Sequence, residues 1–281
     1  MHSSKGIGKL FVVATPIGNL EDITLRALRV LKEVDLIACE DTRRTLKLLN
    51  YYGIKGKKLV SYHEHNEERR VKGLIEELRR GKSIALVSDA GTPCISDPGY
   101  RIVSLARREG IDVVPVPGPS AVVAALSASG FPTDKFFFGG FLPRKEGALR
   151  ETLEEFIGKH FTSVFYESPH RLERTLGLIS EIYPEIEMGV YREITKANEE
   201  LLKGKPNEIL RELKEKGKFK GEFVLIFPPQ KVEKEEKDLD EVILEFLKKG
   251  LSAKEVSKEA SKVTGLPKRE IYKRVVELLN D

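Results

Sequence analysis

Short apolar runs alternate with amphipathic stretches along the first part of the chain. Ile84–Val87 is apolar at every position, a pattern typical of a strand buried on both faces of a parallel sheet. The remaining strands are predicted at Leu10–Ala14, Leu36–Cys39, Leu59–Tyr62 and Val113–Val116. The repeated order of strand, loop and helix predicts an open parallel α/β sheet with helices on both faces, which binds ligands beyond the carboxyl ends of its strands.

Helices are predicted wherever apolar residues recur at helical spacing. The first begins at Asp22, its predicted N-cap, and carries on one face Ala27, Leu28, Leu31 and Val34. The others of this region are predicted at Thr42–Tyr52, Glu67–Arg80 and Asp97–Glu109.

Proline and glycine residues and changes in composition predict how the chain is divided into lobes. Pro117-Gly118-Pro119 ends the regular alternation, so residues 1–119 are predicted to form an N-terminal α/β lobe. Residues 120–230 are predicted to form a second, mixed α/β lobe, with strands at Thr162–Tyr166, Met188–Ile194 and Glu222–Phe227. Residues 231–281 are predicted to combine an acidic linker, Glu233–Glu241, with a small basic domain of three short helices. In that domain Ser252 and Glu255 form a capping box, Gly265 ends a helix and Pro267 opens the next.

Composition narrows the class of protein. The 281 residues are 40% hydrophobic and 33% charged, which is typical of a globular protein. No apolar run approaches the roughly 20 residues that cross a bilayer, and the polar N-terminus lacks a signal-peptide core, so we expect a cytoplasmic protein without membrane contact. Abundant Lys and Glu, a single Gln and no Trp indicate a thermophilic source.

Four loops are rich in Gly, Pro and small hydroxylated residues, and three of them are predicted at strand carboxyl ends. They are Thr15–Leu20, Ser88–Gly99, Pro117–Ala121 and Glu167–Arg171. Glycine lets a ligand approach the backbone closely, and proline reduces the entropy lost on binding. The loops contain neither a Walker A motif nor a dinucleotide fingerprint. A cofactor without a phosphate at the loop is therefore favoured.

Eight motifs in order give the chain a specific resemblance. They are TPIGNLEDIT (Thr15–Thr24), CEDTRRT (Cys39–Thr45), VSDAGTPCISDPG (Val87–Gly99), PGPSA (Pro117–Ala121), GFLPR (Gly140–Arg144), YESPHRL (Tyr166–Leu172), REITK (Arg192–Lys196) and GEFVL (Gly221–Leu225). The loops resemble those of the tetrapyrrole methylase superfamily, and the whole set is similar to its ribosomal RNA small subunit methyltransferase I branch. The resemblance implies a two-lobed homodimer that uses S-adenosylmethionine to methylate the 2′-hydroxyl of a cytidine in the decoding region of 16S rRNA, free or within the 30S subunit.

The resemblance also implies a set of site residues. Those expected to bind S-adenosylmethionine are Pro16, Gly18, Asp89, Gly91, Thr92, Pro93, Ile95, Ser96, Ser120, Ala121 and Tyr166. Superfamily members that methylate small molecules carry Gly-Asp-Pro where this chain has Gly91-Thr92-Pro93, so Asp89 is the first candidate for the cofactor's ammonium or ribose.

The catalytic candidates are charged residues on the matched motifs, because a ribose hydroxyl needs a base or a positive neighbour to react. They are Glu167, Arg171, Glu193 and Lys196, with either glutamate as proton acceptor. For each acid, a salt bridge that holds a loop in place is an equally good interpretation.

RNA contacts are expected from Arg43 and Arg144 on the motifs and from Lys268, Arg269 and Lys273 in the tail. Residues 248–274 hold nine Lys or Arg against three Glu, which suits contact with phosphates. Two other classes stay open, a methylase of small tetrapyrrole-like rings and a non-catalytic RNA-binding factor. A pigmented preparation would favour the first, and RNA binding without cofactor uptake the second.

Overall fold

The computed structural model describes residues 6–230, 239–264 and 266–280. The chain divides into two compact units, Met1–Pro229 and Gln230–Asp281. The first unit contains two five-stranded sheets, and the second contains helices. Within the first unit, the expected lobe boundary at residues 119 and 120 falls where the chain passes from one sheet to the other.

The first sheet is fully parallel, as the continuous apolar runs predicted, with the strand order β3-β2-β4-β1-β5. Its strands are β1 (Leu10–Val13), β2 (Leu36–Cys39), β3 (Lys58–Ser61), β4 (Ile84–Val87) and β5 (Val113–Val116). Its helices are α1 (Leu25–Glu33), α2 (Thr42–Tyr51), α3 (Glu67–Arg79) and α4 (Tyr100–Arg108). Alternate residues of β2 and β4 pack against α1 and α2 on one face and against α3 and α4 on the other. Both faces of this sheet are therefore covered.

Two helix starts differ from the sequence-based prediction. The N-cap of α1 is Thr24, whose Oγ1 accepts a hydrogen bond from the Ala27 N–H at 3.1 Å, while Asp22 ends a separate 3₁₀ turn. Helix α4 begins at Tyr100 and not at Asp97, because Gly99 before it has φ +141°. That conformation is outside the helical region, so the first turn cannot extend back to Asp97.

The second sheet is mixed, with the order β6-β7-β10-β8-β9, and only the β6–β7 pair is parallel. Its strands are β6 (Phe136–Phe141), β7 (Thr162–Glu167), β8 (Met188–Arg192), β9 (Glu200–Gly204) and β10 (Phe223–Phe227). The sequence prediction missed both edge strands. Strand β6 lacks a clear apolar pattern, because its aromatic residues are half-exposed and its register is irregular around Gly139 and Gly140. In β9, charged residues interrupt the apolar pattern.

The helices of this lobe are α5 (Ala121–Ser129), α6 (Glu146–Phe156), α7 (Pro169–Ile182) and α8 (Pro206–Glu215). Helices α6 to α8 pack on one face of the second sheet, and α5 packs on the other through Val122, Ala125 and Leu126. Since α5 starts directly after the sheet-to-sheet connection, its first residues face the cleft between the two sheets.

The described residues of the C-terminal unit form three helices, as predicted, α9 (Leu239–Lys248), α10 (Ala253–Thr264) and α11 (Lys268–Asn280). Its small core contains Val242, Ile243, Val256, Ala260, Ile271 and Val275. The Glu255 carboxylate accepts hydrogen bonds from the Ser252 N–H and hydroxyl, which confirms the predicted pairing of these residues. The predicted linker was wrong at its end, because Leu239, Asp240 and Glu241 belong to α9. Residues 233–238 of that linker and Gly265 lie outside the described residues.

None of the helices in the described ranges combines the length and the apolar character needed to cross a bilayer.

Candidate active site

A cavity of about 450 Å³ opens where the carboxyl ends of the first sheet meet the second sheet. The first sheet contributes the loops after β1, β2 and β4, and the second contributes the end of β7, the start of β10 and the first residue of α5. The volume is within the range of small-molecule sites, and the position is the one expected for an open α/β sheet.

Most of the residues expected to bind a cofactor line this cavity. They are Asp89, Gly91, Thr92, Ile95, Ser96, Ser120, Ala121 and Tyr166. Pro16 and Pro93 are buried but do not line it, and Gly18 is exposed beyond its rim. The loop after β4 is therefore the main wall on the side of the first sheet.

Backbone contacts hold this loop in an unusual conformation. Thr15 and Gly91 exchange backbone hydrogen bonds of 2.9 and 3.0 Å, and the Thr92 hydroxyl donates to the Pro119 carbonyl at 3.2 Å. Cys94 and Ser96 have φ values of 71° and 60°, in the left-handed region that non-glycine residues rarely adopt. Strained backbone that persists in a well-anchored loop is typical of ligand-binding segments.

Three carboxylates enter the cavity wall from two strand ends, Glu40 after β2 and Asp89 and Asp97 after β4. Asp89 is partnered, because its Oδ1 accepts the Asp41 N–H at 3.0 Å and its Oδ2 lies 3.3 Å from Arg44 Nη1. Burial, together with the nearby Asp89, raises the pKa of Glu40.

Asp97 is the most perturbed acid of the three. Burial and then the Glu40 carboxylate raise its pKa from the ordinary 3.8 to about 7, against a partial opposing effect of the Ser88 hydroxyl. Sequence reasoning did not select Asp97, because the residue was interpreted as the start of a helix. Its place beside Pro98 and Gly99, at the end of a ligand-type loop, was the available signal.

Glu167 lines the cavity and forms an ion pair with the half-buried Arg171, which does not line it. One Glu167 oxygen accepts the Ser168 N–H and contacts Arg171 Nη2, both at 2.6 Å, and the other accepts the Thr175 hydroxyl at 2.6 Å. Arg171 also donates to the Leu142 carbonyl at 2.9 Å. Because these bonds occupy both carboxylate oxygens, the geometry suits positioning of the β7–α7 turn better than proton transfer.

Glu193 and Lys196 form an ion pair of 2.8 Å beside the cavity, and neither residue lines it. Lys196 also contacts Glu222 Oε2 at 3.0 Å, and the Glu222 N–H donates to Glu193 at 2.9 Å. Burial opposes ionisation of Glu193, but the Lys196 ammonium, the Glu222 N–H and the Arg192 charge together outweigh it and lower the pKa of Glu193. Its neighbours in sequence and space, Ile194 and Glu222, are the residues that reach the cavity.

The expected RNA-binding residues are placed as follows. Arg43 is 87% exposed and pairs with Asp41 at 3.0 Å, whereas the adjacent Arg44 is the arginine at the cavity. Arg144 is exposed after β6. Lys268, Arg269 and Lys273 are exposed along α11.

The cavity chemistry fits S-adenosylmethionine. Tyr166 and the 57% exposed Phe141 contact each other edge to face at 5.4 Å and give an aromatic wall suited to a purine. Thr92, Ser96 and Ser120 supply hydroxyls for a ribose and an amino acid, and the carboxylates suit the cofactor's positive charges. Ile17 and Phe141 were not selected from the sequence, since an apolar residue carries no chemical signal of its own.

Comparison with known proteins identifies the class to which this fold and cleft belong. The profile of the "Tetrapyrrole (Corrin/Porphyrin) Methylases" matches residues 9–210, and one described as "RsmI C-terminal HTH domain" matches residues 233–279. The crystal structure of a diphthine synthase superposes with a TM-score of 0.60 at 17% identity, over 79% of this chain and 90% of that one. The architecture is thus the tetrapyrrole methylase fold.

Sequence relatives define the branch. Ribosomal RNA small subunit methyltransferase I of Halalkalibacterium halodurans is 50% identical over 272 residues, which is 94% of this chain and 93% of the relative. The protein of the same name from Thermotoga maritima is 50% identical over 220 residues, or 78% of this chain and 98% of that one. The chain belongs to the ribosomal RNA small subunit methyltransferase I family of tetrapyrrole methylases.

Proposed function

We propose that this protein transfers a methyl group from S-adenosylmethionine to the 2′-hydroxyl of a cytidine in the decoding region of 16S rRNA. The observation that carries the proposal is the 50% identity to a ribosomal RNA small subunit methyltransferase I over 94% of the chain. The cavity, with its carboxylates, hydroxyls and aromatic wall, supports the choice of cofactor. The choice of ribose and nucleotide rests on the eight motifs. Because the proposed substrate is ribosomal, we also propose that the reaction takes place in the cytoplasm.

In this proposal the cofactor lies against the loop after β4 and the start of α5. Asp89, Ser96 and Ser120 bind its polar groups, and Tyr166 contacts the adenine. When bound, S-adenosylmethionine supplies an electrophilic methyl group on a positively charged sulfur. The Glu167–Arg171 pair keeps the β7–α7 turn rigid, so that the acceptor oxygen meets the methyl carbon in line.

The RNA is proposed to contact arginines of the first unit and basic residues of the second. Arg43 and Arg144 are exposed and free of core packing, and Lys268, Arg269 and Lys273 form a basic strip on α11. The Thermotoga maritima relative is shorter than this chain by close to the length of the C-terminal unit. The helical unit is therefore proposed to add RNA affinity to a reaction that the first unit carries out.

The test is transfer of tritiated methyl groups to purified 30S subunits and to free 16S rRNA from cells that lack the native modification, followed by nucleoside analysis. We expect label in 2′-O-methylcytidine. Label in another nucleoside would refute the proposed position, and absence of label on both RNAs, with cofactor binding confirmed by calorimetry, would refute the proposed substrate.

A paired set of variants tests the role of the helical unit. Lys268→Ala with Lys273→Ala removes two exposed charges from α11 and should weaken RNA binding with a reduced salt dependence. Lys55→Ala with Lys72→Ala, at two exposed positions of the first unit, is a matched control for the loss of two positive charges. Equal effects of the two changes would contradict a specific contribution of α11.

Sedimentation equilibrium tests the expected homodimer.

A further inference from the structure

Asp97, like Glu40, lacks the ion pair that the other acids of the cavity form within the described residues. Asp89 pairs with Arg44, Glu167 with Arg171, and Glu222 with Lys196. Within the described ranges of the chain, no lysine or arginine forms an ion pair with Asp97. Its side chain is nevertheless half-buried in the cavity wall.

Other ionisable groups line the same cavity or interact electrostatically with Asp97. They are Glu40 and Arg44 beside the β2–α2 turn, Asp89 and Cys94 in its own loop, Tyr166 and Glu167 on β7, and Glu222 just before β10. Arg44, the cation among them, is already 3.3 Å from Asp89. The surroundings therefore repel a negative charge on Asp97, and its pKa of about 7 reflects burial first and Glu40 second.

A proton acceptor works best when its pKa is close to the working pH, because it is then both ionised and basic. Asp97 meets this condition. The two glutamates selected from the sequence, Glu167 and Glu193, do not, since Glu167 has both oxygens occupied and Lys196 lowers the pKa of Glu193.

We propose that Asp97 accepts the proton of the methyl acceptor's hydroxyl group, and that the positive charge of the bound methyl donor keeps Asp97 ionised until transfer. This inference rests on the proposed function. The acceptor oxygen forms the new O–C bond as the C–S bond breaks, the electron pair of that bond stays on sulfur, and the proton passes to the Asp97 carboxylate. The product loses the sulfonium charge in the same step, so Asp97 becomes more basic as the proton arrives.

The first test measures protons and not activity. Calorimetry of S-adenosylmethionine binding at pH 7, in buffers of different ionisation enthalpy, should show release of up to about half a proton, because a group at its pKa is half protonated. S-adenosylhomocysteine, which lacks the sulfonium charge, should release less. Asp97→Asn should abolish the difference between the two ligands.

The second test uses the pH dependence of methyl transfer. The kcat/KM of the wild-type protein should rise with pH through a limb near 7, and Asp97→Asn should lower kcat about 100-fold or more and remove that limb. Glu40→Gln should keep the limb but move it to lower pH, because the Glu40 charge helps to raise the pKa of Asp97.

Either test can overturn the inference. It is wrong if Asp97→Asn keeps the wild-type proton release, or if it changes KM while leaving kcat and the limb intact, which is the signature of a positioning residue. The calorimetric test needs no RNA. Failure of the wild-type protein to methylate any RNA would therefore count against the proposed function, while the proton release would still decide whether Asp97 is the titrating group.

Discussion

Replacing Asp97 by asparagine should stabilise the protein at alkaline pH. The pKa of Asp97 is about 7 in the folded chain against an ordinary 3.8. Between these values the folded state holds a proton that the unfolded state has released, so stability from this group falls as pH rises through 7. Each tenfold change in proton affinity is worth about 1.4 kcal/mol. The contribution of Asp97 to the free energy of unfolding therefore changes by about 4 kcal/mol over the whole pH range.

Part of the Asp97 side chain stays in contact with water, which screens the electrostatic cost of its charge. We therefore expect Asp97→Asn to raise the free energy of unfolding at pH 8 by about half of that full difference. For a unit of this size, this corresponds to a melting temperature higher by about 4–8 °C. Thermal unfolding followed by circular dichroism at pH 4 and pH 8, without ligand, measures it. Asp134→Asn, at an exposed position, is the control. A stability difference from wild type that is the same at both pH values would refute the reasoning.

Three further substitutions probe other parts of the structure. Gly18→Ala should lower the free energy of unfolding by about 1–3 kcal/mol, because the new Cβ would lie 2.5 Å from Lys196 Cγ; urea unfolding measures the effect. Thr175→Val should cost about 1–3 kcal/mol, since it leaves a buried Glu167 oxygen without its donor, and Thr175→Ser should largely restore the loss. Ile271→Ala should cost the helical unit about 2–5 kcal/mol and weaken RNA binding, while cofactor affinity stays at the wild-type value.

The sequence predicted the first sheet well because its strands carry their own signal. A run such as Ile84–Val87 is buried at every position, so its composition alone identifies a central parallel strand. An edge strand such as β6 has no such pattern, since Phe136 and Phe141 are exposed and two glycines interrupt it. Pairing across the sheet, and not local composition, makes it a strand.

The site was predictable as a set of loops, and less so as a set of interactions. Glycine and proline marked the segments that line the cavity, but not which side chains point into it. Arg43 and Arg44 are adjacent in sequence, and only the rotation of α2 decides that Arg44 reaches Asp89. The acidity of Asp97 depends on Glu40, which lies on a different loop, so no local pattern contains it.

The placement of the cavity between two separately cored sheets has a consequence for cooperativity. The two sheets pack around different clusters of side chains, and the connection at residues 117–120 is short. A ligand that contacts both Thr92 and Tyr166 binds only when both lobes are folded. At a free concentration of a hundred times its dissociation constant, such a ligand adds about 2.7 kcal/mol to the free energy of unfolding. Neither lobe can unfold without losing all of this stabilisation. The methyl donor therefore joins the two lobes into one melting unit, which calorimetry would record as a single sharper transition.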